Sequence, residues 1–275
     1  MASNKSNVRR RIGEPLTLPA LEELGYIKKG FECLPGPMSA DKWSGQYQIF
    51  ISKGMTTLPT SPVGKVFISA LSDSKEVNLK VESFLINENP GSEPTLHRTK
   101  AVLVCNNDPV CSLKDYSASI EFRTPEGKLI EALSHDVEAR YRWGRCKCRA
   151  GKISVSNKVK GPLSSYWSLM HAARGLAEDE LPEKAFSVFE DSGLIRSGQY
   201  LRLKECRELQ TGSGNLRLKC CSRRGAGILP VEYWTDTQGR FIAMISSSLV
   251  YVFDSMAAEA LPPAVEAQIQ KMREE

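Results

Sequence analysis

In four segments between Gln46 and Cys105 apolar residues recur at nearly every second position, and no other feature limits the possible folds of this chain as strongly. Successive side chains of an extended strand point to opposite faces, so a period of two means one buried and one wet face. The segments are Gln46–Ser52 (QYQIFIS), Lys65–Leu71 (KVFISAL), Val77–Ile86 and Thr99–Cys105. All are rich in β-branched and aromatic residues and are separated by Gly, Pro and Asn clusters. Ser117–Arg123 and Lys128–Leu133 flank Thr124-Pro125-Glu126-Gly127, where Pro presets φ and Gly accepts a positive φ, which predicts a hairpin. The first half therefore reads as an antiparallel β unit.

Helical spacing appears elsewhere. Pro19–Leu24 predicts a short helix stopped by Gly25. Pro162 suits the first turn of a helix over Leu163–Ala177, whose Tyr166, Trp167, Met170 and Ala173 share one buried face. A second helix is expected from Pro182 to before Gly193, gathering Ala185, Phe186 and Phe189. Strands then return: Gln199–Glu205 and Asn215–Cys221 enclose Thr211-Gly212-Ser213-Gly214, and Ile228–Thr235 and Arg240–Phe253 enclose Asp236-Thr237-Gln238-Gly239. Val265, Ile269 and Met272 give the tail an amphipathic helix. The expected fold class is α+β, with two β-rich antiparallel lobes separated by a helical segment and a short C-terminal helix. The expected divisions are 1–40, a basic arm and lead-in segment; 41–161, an N-terminal β lobe; 162–256, the helical segment plus a C-terminal β lobe; and 257–275, the C-terminal helix.

Among 275 residues, 41% hydrophobic content excludes wholesale disorder, and eight cysteines are too few for a disulfide mini-protein of this length. The start, MASNKSNVRRRIG, has no apolar run behind its basic residues, and Phe241–Phe253 falls short of the roughly 20 residues of a membrane-spanning helix. The expectation is an intracellular protein in cytoplasm or nucleus, peripheral to membranes, with its cysteines as thiols. Cys146, Cys148, Cys220 and Cys221 form C-x-C and C-C, neither of them a zinc knuckle, so no metal and no cofactor is expected.

Catalytic signals are sparse. His97, His135 and His171 lack any readable partner pattern. Ser134-His135-Asp136 is contiguous, whereas triad members meet in space, so no catalytic residue is assigned. The Gly-x-Gly pairs at Gly212/Gly214 and Gly225/Gly227 read as turns.

Charge clusters more tellingly than it sums: 37 Lys and Arg against 32 Asp and Glu is a modest excess. Yet Arg140–Lys160 (RYRWGRCKCRAGKISVSNKVK) carries Arg140, Arg142, Arg145, Lys147, Arg149, Lys152, Lys158 and Lys160 with no acid among them. If Arg140–Arg149 is extended, Tyr141 and Trp143 share one face and Arg140 and Arg142 the other, an arrangement for an anionic surface with aromatics for base stacking or lipid headgroups. The alternative is a solvated segment balanced by the acids of Glu178–Glu183. Arg202, Lys204, Arg217 and Lys219 are expected to form one basic face if their strands pair, and Arg9, Arg10 and Arg11 to serve as a phosphate-contacting arm or import signal.

The basic start MASNKSNVRRRIG, the β-rich body broken by helices, the scarcity of catalytic groups and the cluster RYRWGRCKCRAGK together resemble the matrix proteins of negative-strand RNA viruses, among them plant-infecting rhabdoviruses. No Pro-Pro-x-Tyr or Pro-Thr-Ala-Pro motif accompanies them. The resemblance implies a non-enzymatic virion protein that binds RNA or nucleocapsid and an anionic membrane surface and self-associates. Two alternatives stay open: a viral cell-to-cell movement protein binding single-stranded nucleic acid, and a motif-poor small-molecule enzyme or isomerase with a pocket on a β-barrel-like body.

Overall fold

A computed structural model describes residues 17–23, 25–28, 39, 41–51, 61–87, 93–176, 185–211 and 214–274. After helix α1 (Leu18–Glu23) come strands β1 (Lys42–Ile51), β2 (Gly64–Ser72), β3 (Glu76–Asn87), β4 (Thr95–Asn106) and β5 (Leu113–Arg123). Then follow β6 (His135–Arg142), β7 (Arg145–Ala150), β8 (Ile153–Lys158), β9 (Leu163–Ser165), helix α2 (Tyr166–Gly175) and β10 (Phe186–Phe189). The chain continues through β11 (Ile195–Thr211), β12 (Gly214–Gly225), β13 (Val231–Asp236), β14 (Phe241–Ile245) and β15 (Leu249–Phe253), and ends in helix α3 (Pro263–Glu274).

All fifteen strands belong to one sheet, ordered β8-β7-β6-β5-β4-β3-β2-β1-β15-β14-β13-β12-β11-β10-β9. Its ladders are antiparallel apart from the parallel pair β9–β10. This overturns the expectation of two lobes separated by a helical segment. The two halves are joined through β1 and β15, with Tyr47 opposite Phe253 and Ile51 opposite Leu249, so one ladder runs through both. The expected second helix is also corrected where it is described, since Phe186–Phe189 is a fully buried strand between β9 and β11. A short apolar run fits either period, and here pairing with strands on both sides decided it. Lys128–Leu133 forms turns and a single bridge, Arg123 to Leu129, in place of the expected strand.

The sheet curls so that inner faces of distant strands meet. Tyr116 of β5 packs edge-on against Phe189 of β10 at 5.0 Å between ring centroids. The Ser164 hydroxyl of β9 donates to the Val110 carbonyl at 2.6 Å. The concave side is filled by α2, whose Trp167, Leu169, Met170, Ala172 and Ala173 are buried, as suits a helix that is apolar over most of its circumference. Ser165 caps it: its Oγ accepts from Ser168 N–H, and Ser168 Oγ accepts from Ser165 N–H, both at 2.9 Å. The other two helices cover the outer face. Leu18 and Leu21 of α1 pack with Trp234, Ile242 and Val252, while Ile269 and Met272 of α3 pack with Phe84 and Leu96. The outer face of β5–β8 carries neither helix.

Candidate functional site

Two places on this frame collect chemistry: the uncovered β6–β8 face and a cavity at one mouth of the curled sheet.

On β6–β8 the expectation of ten extended residues is corrected by a tight hairpin. Arg142 pairs with Arg145, leaving Trp143 and Gly144 as a two-residue loop with φ of +49° and +71°, the twist a right-handed ribbon needs. The aromatics therefore separate. Tyr141 turns toward the core and its hydroxyl donates to the Gly161 carbonyl at 2.7 Å, while Trp143 at the tip is 99% exposed. Cys146 and Cys148 share the buried inner face, as alternation requires, and the arginines and lysines share the outer one. Register sets these in cross-strand rows: Asp115, Arg140, Lys147 and Ser156 in one, Arg142, Arg145 and Lys158 in the next. Asp115 takes Arg140 at 3.0 Å and Arg142 at 2.7 Å, and Glu138 takes Arg149 at 2.9 Å. Partial burial would raise the Asp115 carboxyl, but the hydrogen bonds and charges of the Arg142 and Arg140 guanidiniums together outweigh it and hold the group below its usual range. Among the described residues Arg145, Lys147 and Lys152 have no ion-pair partner.

The second basic set does not form one face. A bulge between Leu203 and Glu205 shifts the β11–β12 register. Lys204 reaches Glu232 at 2.5 Å on the outer side, where Arg202 stacks over Tyr200 at 4.9 Å. Lys219 instead points inward and donates to the Leu176 carbonyl at the end of α2. Arg217, two residues earlier on β12, shares the Lys219 side. Arg9, Arg10, Arg11 and the acids of Glu178–Glu183 lie outside the described residues.

The mouth cavity was not visible in the sequence. It encloses about 460 Å³ between β1, β3, β4, β15 and the β10–β13 side of the sheet. Arg223 of β12 lines it. This residue is 4% exposed, and its Nε and Nη1 have no hydrogen-bond partner. Around it stand Tyr166 and Tyr251, whose ring centroids lie 6.3 Å apart, together with Ser83, Thr99 and the turn 246–248. Burial raises the Tyr166 and Tyr251 hydroxyls, the latter to about 12, so both remain protonated donors at neutral pH. Ile49, Leu85, Val231 and Leu249 supply apolar wall, and His97, Glu190, Asp191 and Arg196 polar and charged wall. Asp191, in the same lining, accepts from Tyr116 at 2.7 Å and from Trp167 Nε1 at 3.0 Å, and burial pushes its carboxyl up. Glu190 binds Arg196 at 2.6 Å. Glu190 and Asp191 thus share the cavity with Arg223 but are engaged elsewhere, and among the described residues Arg223 forms no ion pair within 4 Å.

The histidines and thiols are dispersed. Ser134 Oγ donates to the Ile130 carbonyl at 2.9 Å, and His135 Nδ1 lies 3.0 Å from the Leu133 carbonyl, so the contiguous trio serves the start of β6. Cys220 and Cys221 face opposite sides of β12, in different clusters of the core. Among the described residues no group of three or more His, Cys, Asp or Glu is arranged to hold a metal ion. No described helix is long and apolar enough to cross a membrane.

No family model matches this sequence, and no curated protein matches it. Among solved structures it is similar to a beta-barrel-like protein of the domain of unknown function DUF1849 from Brucella abortus. The TM-score is 0.54 at 10% identity, over 78% of this chain and 97% of that one. That likeness is one of fold. A DUF1089 family protein from Pseudomonas aeruginosa aligns at 12% identity over 69% of this chain and 92% of that one, with a TM-score of 0.36. Nothing in these comparisons links the chain to a virus.

Proposed function

We propose that this chain is a small-molecule binding protein whose barrel mouth receives a ligand with an anionic head and an apolar body. The observation that carries the reading is Arg223, a residue 4% exposed that lines a cavity of about 460 Å³ and has two buried nitrogens, Nε and Nη1, without a hydrogen-bond partner. A buried charge without a counter-ion costs several kcal/mol, and an arriving anion removes that cost. The planar fork of a guanidinium matches a carboxylate, and hydrogen bonds to charged groups contribute roughly 1.5–3 kcal/mol each. The cavity has the size of ordinary ligand sites and combines apolar walls with convergent polar and charged groups, and the mouths of β-barrels are a common place for such sites.

The test is a fluorescence titration with 1-anilinonaphthalene-8-sulfonate, an anionic aromatic probe, followed by displacement with dodecanoate and with dodecanol. Saturable binding is expected, displaced by the acid much better than by the alcohol. Arg223→Met is expected to weaken probe binding by about tenfold or more, the loss of one charged hydrogen-bond set. Equal binding by wild type and Arg223→Met, or equal displacement by acid and alcohol, would overturn the reading.

A further inference from the structure

We propose that the β6–β7 hairpin is a docking element for an anionic bilayer surface, with Trp143 entering the headgroup layer and the adjoining cations lying against it. Three independent features of the hairpin work against the stability of the free protein. The first is that Trp143 leaves a whole indole in water, 99% exposed, although Trp43, Trp167 and Trp234 are all buried. The second is that Trp143 occupies a left-handed backbone conformation, φ +49°, a region that glycine and asparagine occupy readily and bulky side chains rarely do. Strain held at one exposed residue is characteristic of binding elements. The third is the row beside the tip: Arg142, Arg145 and Lys158 stand directly opposite one another across three strands. Like charges in that position repel, and Asp115 offsets only the first of them. Lys160 follows two residues later.

These features share one remedy. A plane of negative headgroups neutralises the row, and the interface between headgroups and acyl chains is where an amphipathic indole is most stable. Geometry favours a bilayer over nucleic acid as the occupant. A single-strand binder stacks successive bases on several aromatics along a groove, but Tyr141 is turned inward and tied to the Gly161 carbonyl, leaving one aromatic at a protruding tip. A tip that penetrates with cations behind it suits a flat, soft, charged surface. The outer face of β5–β8 is also the part of the sheet that neither α1 nor α3 covers, so a surface can approach it.

The experiment is co-sedimentation of the full chain with phosphatidylcholine vesicles with and without about one-third phosphatidylglycerol, across a salt series, beside a polyuridylate binding assay. Binding is expected to anionic vesicles alone, lost at high salt, with a blue shift of the tryptophan emission. Trp143→Asn suits the turn better, so it should keep or raise the melting temperature while lowering vesicle affinity about fivefold or more. Replacing Arg145, Lys158 and Lys160 by Ala should weaken binding about fivefold per residue removed. Failure of wild type to sediment with anionic vesicles at low salt, or unchanged binding by Trp143→Asn, overturns the proposal. So does tight polyuridylate binding without vesicle binding, which would assign the face to nucleic acid.

Discussion

The indole Nε1 of Trp43 donates to Nδ1 of His171 at 2.9 Å, joining the first strand to the helix inside the curled sheet across 128 positions of sequence. The Arg174 guanidinium lies 4.4 Å from the Trp43 ring on the same helix end. Accepting that hydrogen bond requires an unprotonated Nδ1, and burial, with Arg174 adding to it, pushes the His171 pKa down to about 4. An unfolded histidine titrates near 6.5, so protons favour the unfolded chain. The stabilising contribution is complete above pH 6.5 and is lost as pH falls toward 4, up to about 3 kcal/mol. Melting temperatures of wild type and His171→Gln, measured from pH 7 to pH 4, should converge as the pH falls. Parallel curves would show that His171 is not the group responsible.

The Lys204–Glu232 pair makes a different demand. Glu232 is buried, and desolvation raises its carboxyl pKa even though Lys204 lies 2.5 Å away and acts in the opposite direction. Removing one partner of such a pair leaves an uncompensated charge, and the usual cost is about 3–5 kcal/mol. Lys204 is itself 31% exposed, which places the expected loss for Lys204→Met at the lower end of that range. The double variant with Glu232→Leu should recover most of the loss in urea unfolding. No recovery would mean that Lys204 stabilises the β-bulge through packing.

Local patterns announced local structure here. Alternation located β1–β5, the glycine-bearing segment 236–239 marked the turn between the paired strands β13 and β14, and helical spacing located α3. What joined these parts was illegible, because the β1–β15 ladder depends on residues about 200 positions apart and no local signal encodes such a partner. At the basic segment the missed signal was Trp143-Gly144 itself, a glycine-containing dipeptide between two alternating runs that marks a two-residue loop. Arg223 stood beside Arg224 in a basic cluster and differed from it in nothing readable. Only strand parity and the approach of Tyr166 and Tyr251 from distant elements single it out.

Thiol chemistry offers a test of the inner face. Burial raises the pKa of Cys146 to about 11 and raises those of Cys148 and Cys221, so little thiolate exists at neutral pH. Cys206 is exposed on β11. Brief iodoacetamide labelling at pH 7.5, read by peptide mass mapping, should modify Cys206 well before Cys146, Cys148 or Cys221, which should react only after denaturation. Early labelling of Cys146 or Cys148 would show that β7 opens easily from the sheet.

Arg223 should reveal a conflict between stability and binding. A buried guanidinium with two unpartnered nitrogens is held at a cost that a methionine of similar length avoids, since replacing buried ionic groups by well-packed apolar ones is often neutral or stabilising by about 1–4 kcal/mol. Arg223→Met should therefore melt at the same or a higher temperature than wild type in the absence of ligand, while losing the anionic probe. With saturating dodecanoate the order should reverse, because a ligand stabilises only the chain that binds it, by about 2.7 kcal/mol at one hundred times Kd. A lower melting temperature for ligand-free Arg223→Met would instead assign the guanidinium a structural role and remove the argument that its cost is tolerated for binding.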